Sequence, residues 1–177
     1  PQLVVVREPR GQLMLDELRW GVRSGTRLVQ NARRESLGAP LWRGHLSDRC
    51  VVPADGYVEW QKSTGKKLPL WFRDAGEPGR TLWMAGLRLP DGFVIITTPP
   101  SDDVARVHDR MPALLPWEDV DTWLTAAWPA ARALLVPAPN GSLVSRPLGA
   151  RVNSSAHDDP SCLDPPPSEA QLPLFGR

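Results

Sequence analysis

Cysteine is scarce in these 177 residues, and its scarcity closes off several kinds of chemistry. Two cysteines, Cys50 inside an apolar run and Cys162 in a proline-rich stretch, make neither a disulfide framework nor a zinc site, which points to a reducing compartment. Long hydrophobic runs are missing too. Leu3–Val6 is stopped by Arg7 and later apolar runs have strand length, so the residues given hold no membrane-spanning helix and no secretion signal. No phosphate-cradling glycine loop, dinucleotide turn, Ser/His/Asp order or metal-spaced cluster occurs. The expectation is a cytoplasmic protein without cofactor, metal or membrane contact.

Tyrosine is equally rare, at one residue, whereas there are eight tryptophans. Tryptophan buries a large area, so most of the eight are expected in the core, with one or two left as stacking platforms for bases. The net charge is only +1, but residues 1–73 carry +6 and residues 74–177 carry −5. A basic first half fits a groove that tracks phosphates, and equally an arginine-rich solvated surface. The length suits one domain, residues 1–152, followed by a tail from 153 in which Ser, Asp and Pro dominate and little drives folding.

Strand-length apolar segments bounded by glycine or proline dominate the chain: Leu3–Arg7, Gln12–Val22, Leu68–Arg73, Leu82–Leu89 and Phe93–Thr98. Gly21–Gln30 reads as a short connection. Ser101 reads as the N-cap of a helix reaching His108, and Pro112 holds Met111 extended. Glu118–Trp128 reads as one amphipathic helix with Val120, Trp123, Leu124 and Ala127 inward, Ala130–Leu135 as a second short helix. With strands outnumbering interspersed helices, the predicted fold is α+β: mainly β, a curved or barrel-like sheet with a few peripheral helices and a disordered C-terminal tail.

One stretch stands out, Cys50–Trp60. It reads as a strand, a turn at Pro53-Ala54-Asp55-Gly56, and a resumed strand delivering Glu59. Alternation sets Tyr57 and Glu59 on one face and Val58 and Trp60 on the other. Partial burial would raise the Glu59 pKa and suit it to proton transfer; the plainer reading is a carboxylate paired with an arginine. Asn31 and Arg33, two apart, share a face, where Asn orients a substrate and Arg clamps a phosphate. His108, at a helix end, is a switchable imidazole. Each also has an ordinary reading, as turn residue, surface charge and helix cap.

Three runs in order, N-A-R-R-E-S at Asn31–Ser36, P-A-D-G-Y-V-E-W at Pro53–Trp60 and H-D-R-M-P at His108–Pro112, resemble the SOS-response-associated peptidase (SRAP) family. Trp20-Gly21, Ala85-Gly86-Leu87 and Ile95-Ile96-Thr97 fit the same order, and the resemblance covers about Pro1 to Val152. It implies a monomeric, nucleoid-associated protein that binds single-stranded DNA and cross-links to abasic sites. In that family the cysteine after the initiator Met captures the sugar aldehyde through its amine and thiol, as a thiazolidine, and removal of that Met is the peptidase activity. Carried over, Asn31 orients the nucleophile, Glu59 handles protons and His108 stabilises sugar or phosphate, while Arg33, Thr97 and Arg110 hold the DNA backbone.

The family's opening M-C-G-R segment is not among residues 1–177; Pro1–Arg7 resembles a strand a few dozen residues into the family, as expected of a piece of a longer reading frame, the other reading being a shortened protein that has lost the cross-linking nucleophile. Neither cysteine substitutes for the absent one, Cys50 being expected as a small buried core residue. The connection at Val22–Gln30 is shorter than the tryptophan-bearing loop of relatives. At the far end, Q-L-P-L-F at Gln171–Phe175 resembles the pentapeptide with which bacterial proteins dock on the replicative sliding clamp, Gln171 at a rim and Leu172, Leu174 and Phe175 in an apolar groove. Loss of clamp binding by a 165–177 peptide on Phe175→Ala is the measurement that bears on it.

Overall fold

The computed structural model describes residues 2–7, 11–62 and 67–167; Gln171, Leu172, Leu174 and Phe175 lie outside them. The chain begins with β1 (Gln2–Arg7), β2 (Leu13–Leu18), the small hairpin β3 (Val22–Ser24) and β4 (Arg27–Val29), β5 (Asn31–Arg33) and the one-turn helix α1 (Pro40–Arg43). Then come β6 (Arg49–Ala54), β7 (Tyr57–Lys62), β8 (Lys67–Asp74), β9 (Leu82–Leu89), β10 (Gly92–Thr98) and α2 (Asp102–Ala105). Two short strands, β11 (Met111–Pro112) and β12 (Leu114–Leu115), precede α3 (Val120–Thr125), α4 (Trp128–Ala133) and β13 (Leu143–Pro147).

One large sheet follows the order β11-β10-β9-β6-β1-β2, with β5 added to β10 and β12 to β9. It is mainly antiparallel and does not close into a barrel. Its central strands are apolar throughout because both faces are buried. Val5, Val51, Val94 and Ile96 point into a core roofed by α3 and α4 through Trp123, Leu124 and Ala131. Their neighbours Val4, Val6, Cys50, Val52, Phe93 and Ile95 point into a second core. That core is closed by Leu70, Phe72 and Leu143 of a separate three-stranded sheet, β13-β8-β7. The side-chain period of two thus produces two cores from one set of strands.

The strand-turn-strand reading of Cys50–Trp60 holds, and the turn does more than reverse the chain. β6 sits in the large sheet and β7 in the small one, so Asp55-Gly56 is where the chain changes sheets. Only glycine fits there. A Cβ on Gly56 would run into Trp71 Nε1 and the Phe72 carbonyl oxygen, and would come within 2.8 Å of Trp71 Cε2.

Several expectations are corrected. Gly21–Gln30 is a hairpin rather than a plain connection, Val22 pairing with Val29. The helix from Ser101 is a single turn and the Ser101 hydroxyl makes no capping bond; His108 nevertheless stays tied to that turn, its N–H donating to Val104 O at 3.0 Å. The helix expected over 118–128 is shorter, α3 ending at Thr125, and the second helix, expected over Ala130–Leu135, is α4 and starts at Trp128. Pro129 fits the first turn of α4, and the chain extends at Ala126 and Ala127, leaving Ala127 exposed while Val120, Trp123 and Leu124 are buried. Of the tryptophans only Trp42 and Trp123 are fully buried, and Trp20 and Trp117 are 43% and 55% exposed. Finally, order continues past residue 153. Residues 153–167 include a 3-10 turn at Pro160–Leu163, with Trp60 Nε1 donating to Asn153 Oδ1 at 2.7 Å and Gly149 N–H to Asp164 O at 2.9 Å.

Candidate functional site

Glu59 lies on β7, which pairs with β8 alone and presents its other edge to the turn after α2. Across that edge His108 Nδ1 stands 3.9 Å from Glu59 Oε1. The Glu59 side chain is 23% exposed and that of His108 39%, accessible but not freely hydrated. Burial raises the Glu59 pKa above the ordinary carboxylate value; His108 pulls it down and Asp109 pushes it up, with burial the strongest of the three. Glu59 is thus drawn toward its neutral form, as the partial-burial reading requires. Tyr57, on the same face, has its ring stacked on Phe72 with centroids 5.3 Å apart, and its hydroxyl is buried without a partner.

His108 is held from behind by the chain that follows it. The Arg110 N–H donates to Nδ1 at 3.1 Å, which in the neutral ring makes Nδ1 the acceptor and places the proton on Nε2. The Arg110 carbonyl is also 3.1 Å from Nδ1 and accepts a hydrogen bond from it whenever Nδ1 carries a proton. Asp109 Oδ1 lies 3.5 Å from the same nitrogen.

The register of β5 on β10 sets Asn31 beside Ile95 and Arg33 beside Thr97, both with exposed side chains around the buried Ala32. Arg110 joins this edge to the histidine loop. Its guanidinium grips Glu35 at 3.1 and 2.9 Å and reaches the Thr97 carbonyl at 2.6 Å. Arg33, Thr97 and Arg110 are thereby brought together, as are Glu59 and His108. Among the described residues no hydrogen bond or ion pair links Asn31 to Glu59 or His108. Arg110 has its fork engaged within the protein, whereas Arg33 is exposed. Glu35, which sequence reasoning left without a role, is the residue that occupies Arg110; its signal was an acid in one motif and a base in another. Its pKa is lowered, chiefly by that hydrogen bond.

Beside Glu59 and His108 opens a cleft of about 1160 Å³. It is lined by Trp60, Leu68 and Pro69 and, from the segment expected to be disordered, by Asn153, Pro166 and Pro167. Neither thiol is placed to act there. Cys50 is fully buried and its thiol is pushed up to about 12 by burial, as a core residue should be; Cys162 is half-buried in the C-terminal turn. Among the described residues no group of three or more His, Cys, Asp or Glu is arranged to hold a metal, and no helix is long and apolar enough to cross a membrane.

Relatives share both sequence and shape. The abasic site processing protein HMCES of Gallus gallus is 33% identical over 160 residues, covering 75% of this chain and 47% of that protein, so the chain spans about half the length of this relative. The abasic site processing protein YoqW of Bacillus subtilis is 30% identical over 173 residues, covering 85% of this chain and 76% of that protein. A crystal structure of a protein from Bacteroides thetaiotaomicron superimposes with a TM-score of 0.73 at 25% identity, covering 93% of this chain and 81% of the other. Residues 1–155 match the family described as SOS response associated peptidase (SRAP), and the chain belongs to that family.

Proposed function

We propose that this chain binds single-stranded DNA at abasic sites and supplies the proton-handling part of a covalent cross-link to them. The observation that carries this reading is the Glu59–His108 pair, a carboxyl drawn toward neutrality by burial and set 3.9 Å from an imidazole at the mouth of an open cleft. The names of the relatives supply the substrate class.

The aldehyde of a ring-opened deoxyribose condenses with an amine and loses water to give an imine. The nitrogen keeps its proton, so this imine is an iminium; the thiol gives up its own proton and adds to the iminium carbon, and the net products are a thiazolidine and one water. Glu59 in its neutral form protonates the departing hydroxyl, and as carboxylate it accepts the thiol proton. His108 stabilises the carboxylate between these steps. The amine and thiol that the family pattern calls for belong to the M-C-G-R segment, outside residues 1–177. Arg33, exposed beside Thr97, is assigned to phosphate, and Arg110 to holding the Thr97 edge and the histidine loop together.

Two measurements test this. Abasic single-stranded DNA is mixed with the chain carrying the family's N-terminal segment, and the products are run on a denaturing gel; a shifted band is expected, formed at least tenfold more slowly in Glu59→Gln, with unchanged affinity for an uncleavable abasic analogue. For the chain itself, Arg33→Ala should reduce the slope of log affinity against log salt by about 0.7. Retention of DNA without any cross-link would replace this reading with that of a non-catalytic single-strand binding module.

A further inference from the structure

An abasic nucleotide offers no base to stack on, so a protein that selects it must take its grip from the phosphates and from the bases on either side. The cleft next to Glu59 and His108 has the build for one such base. It curls around the free edge of β7, so residues from both faces of that strand line it. Trp60 provides the flat ring, and its indole N–H donates to Asn153 Oδ1 at 2.7 Å, which fixes the ring plane. Leu68, 38% exposed, and Pro69 continue the apolar floor on β8. Pro166 and Pro167 face them from the C-terminal strap, with Lys67 at the rim.

The strap is anchored at several points rather than laid loosely over the cleft. Leu148 N–H donates to Pro69 O and Gly149 N–H to Asp164 O, each at 2.9 Å, while Arg151 pairs with Asp159 at 2.5 Å. Leu163 sits by Val58 and Trp71 at a second depression nearer the start of β7. The strap therefore presents its two prolines at a set position. An apolar slot with a fixed indole, a proline wall and a cation at its mouth suits a base attached to a phosphate, and its continuity with Glu59 and His108 ties it to the same strand of DNA.

We infer that this slot is a subsite for one nucleobase flanking the abasic position, and that the C-terminal strap completes it. The inference rests on the single-strand DNA reading above. The strap then acts as a specificity element, since its prolines decide how well a planar base is held beside the reacting sugar.

The test uses fluorescence anisotropy with a short oligonucleotide bearing one central tetrahydrofuran, an abasic analogue without an aldehyde. The neighbouring adenine is replaced by a second tetrahydrofuran, first on the 5′ side and then on the 3′ side. One of the two replacements should weaken binding to the chain about tenfold, and the other much less. The double variant Pro166→Gly, Pro167→Gly, whose prolines are exposed and carry no core contact, should lose about as much on the intact oligonucleotide and show little further loss on replacement. Asn153→Ala, which releases the Trp60 ring, should lose less in the same direction. Insensitivity to both replacements, or full flank sensitivity in the double variant, overturns the inference. Failure of the chain to bind any of these oligonucleotides overturns the DNA reading itself, so the two failures are distinct.

Discussion

Gly56→Ala is the substitution that best tests how the site is aimed. The glycine is not needed for a left-handed backbone; its φ is not positive, and the constraint is space alone. An added Cβ overlaps Trp71 Nε1 and the Phe72 carbonyl oxygen, and lies 2.8 Å from Trp71 Cε2. An indole can swing aside. The carbonyl belongs to β8 and is locked in the Tyr57↔Phe72 register of the small sheet, so relief requires β7 to move away from β8. Overpacking of this kind costs about 1–3 kcal/mol where side chains can yield, and the fixed backbone places this case at about 3 kcal/mol. At roughly 2–4 °C per kcal/mol for a chain of this size, the melting temperature should fall by about 6–12 °C. The assay is thermal and urea denaturation of the single variant and of Gly56→Ala/Trp71→Leu. If the argument is right, removing the indole recovers only a minor part of the loss, because the carbonyl still clashes. Full recovery in the double variant, or a drop below about 2 °C in the single one, refutes it. Any surviving folded fraction should also show weaker Glu59–His108 coupling, since Glu59 is three residues from the clash.

Two further outcomes follow from the charges. Glu59 has its pKa raised, so its contribution to stability is fully present below the unfolded carboxylate value and is lost as pH rises through the folded one, with His108 and Asp109 as the charged groups facing it. Glu59→Gln should therefore raise the urea midpoint at pH 8 and leave it nearly unchanged at pH 4; equal shifts at both would contradict the assignment. For Glu35 the sign is opposite, because its lowered pKa gives stability present above the unfolded value and lost as pH falls through the folded one. A Glu35→Gln, Arg110→Gln double-mutant cycle should give about 0.5–1 kcal/mol at pH 7, discounted for the 54% exposure of Glu35, and near zero at pH 2.5.

Legibility in the sequence followed how local each determinant is. β6, β9 and β10 were readable because burial on both faces makes the run itself apolar, and the 53–56 turn because Pro, Asp and Gly mark it. That the two halves of Cys50–Trp60 part into different sheets was not readable, since nothing local separates a hairpin from a sheet change; the clash at Gly56 is with β8, more than a dozen residues on. The end of α3 was set too late, at Trp128, because the apolar spacing continues across Ala126-Ala127, where an extended backbone rather than composition makes the break. Residues 153–167 look unable to fold by composition, yet Asn153 and Leu163 borrow the apolar face of β7 and β8. Glu59, His108, Asn31 and Arg33 were proposed from motif and spacing, and the structure sets Glu59 beside His108. The Glu35–Arg110 pair was missed because its partners are 75 residues apart.

Two motifs are tied firmly and the third loosely. β5 and β10 share a ladder, and Arg110 bridges Glu35 and Thr97, so the Asn31–Ser36 and His108–Pro112 segments move as one piece. Pro53–Trp60 meets that piece across the free edge of β7, where Gln61 Nε2 reaches the Arg106 carbonyl at 3.4 Å and Glu59 stands 3.9 Å from His108. Neither is a strong hydrogen bond, the second being outside hydrogen-bonding distance altogether. A proton passes efficiently only at about 2.6–3.2 Å or through one water. On the proposed reading, the gap between the small sheet and the histidine loop is the dimension that a substrate would have to shorten or bridge, and the slot lined by Trp60 and the strap prolines adjoins it. Binding a flanking base there would press on the same strand that carries Glu59, so that grip on the neighbour and readiness of the acid are set by one element.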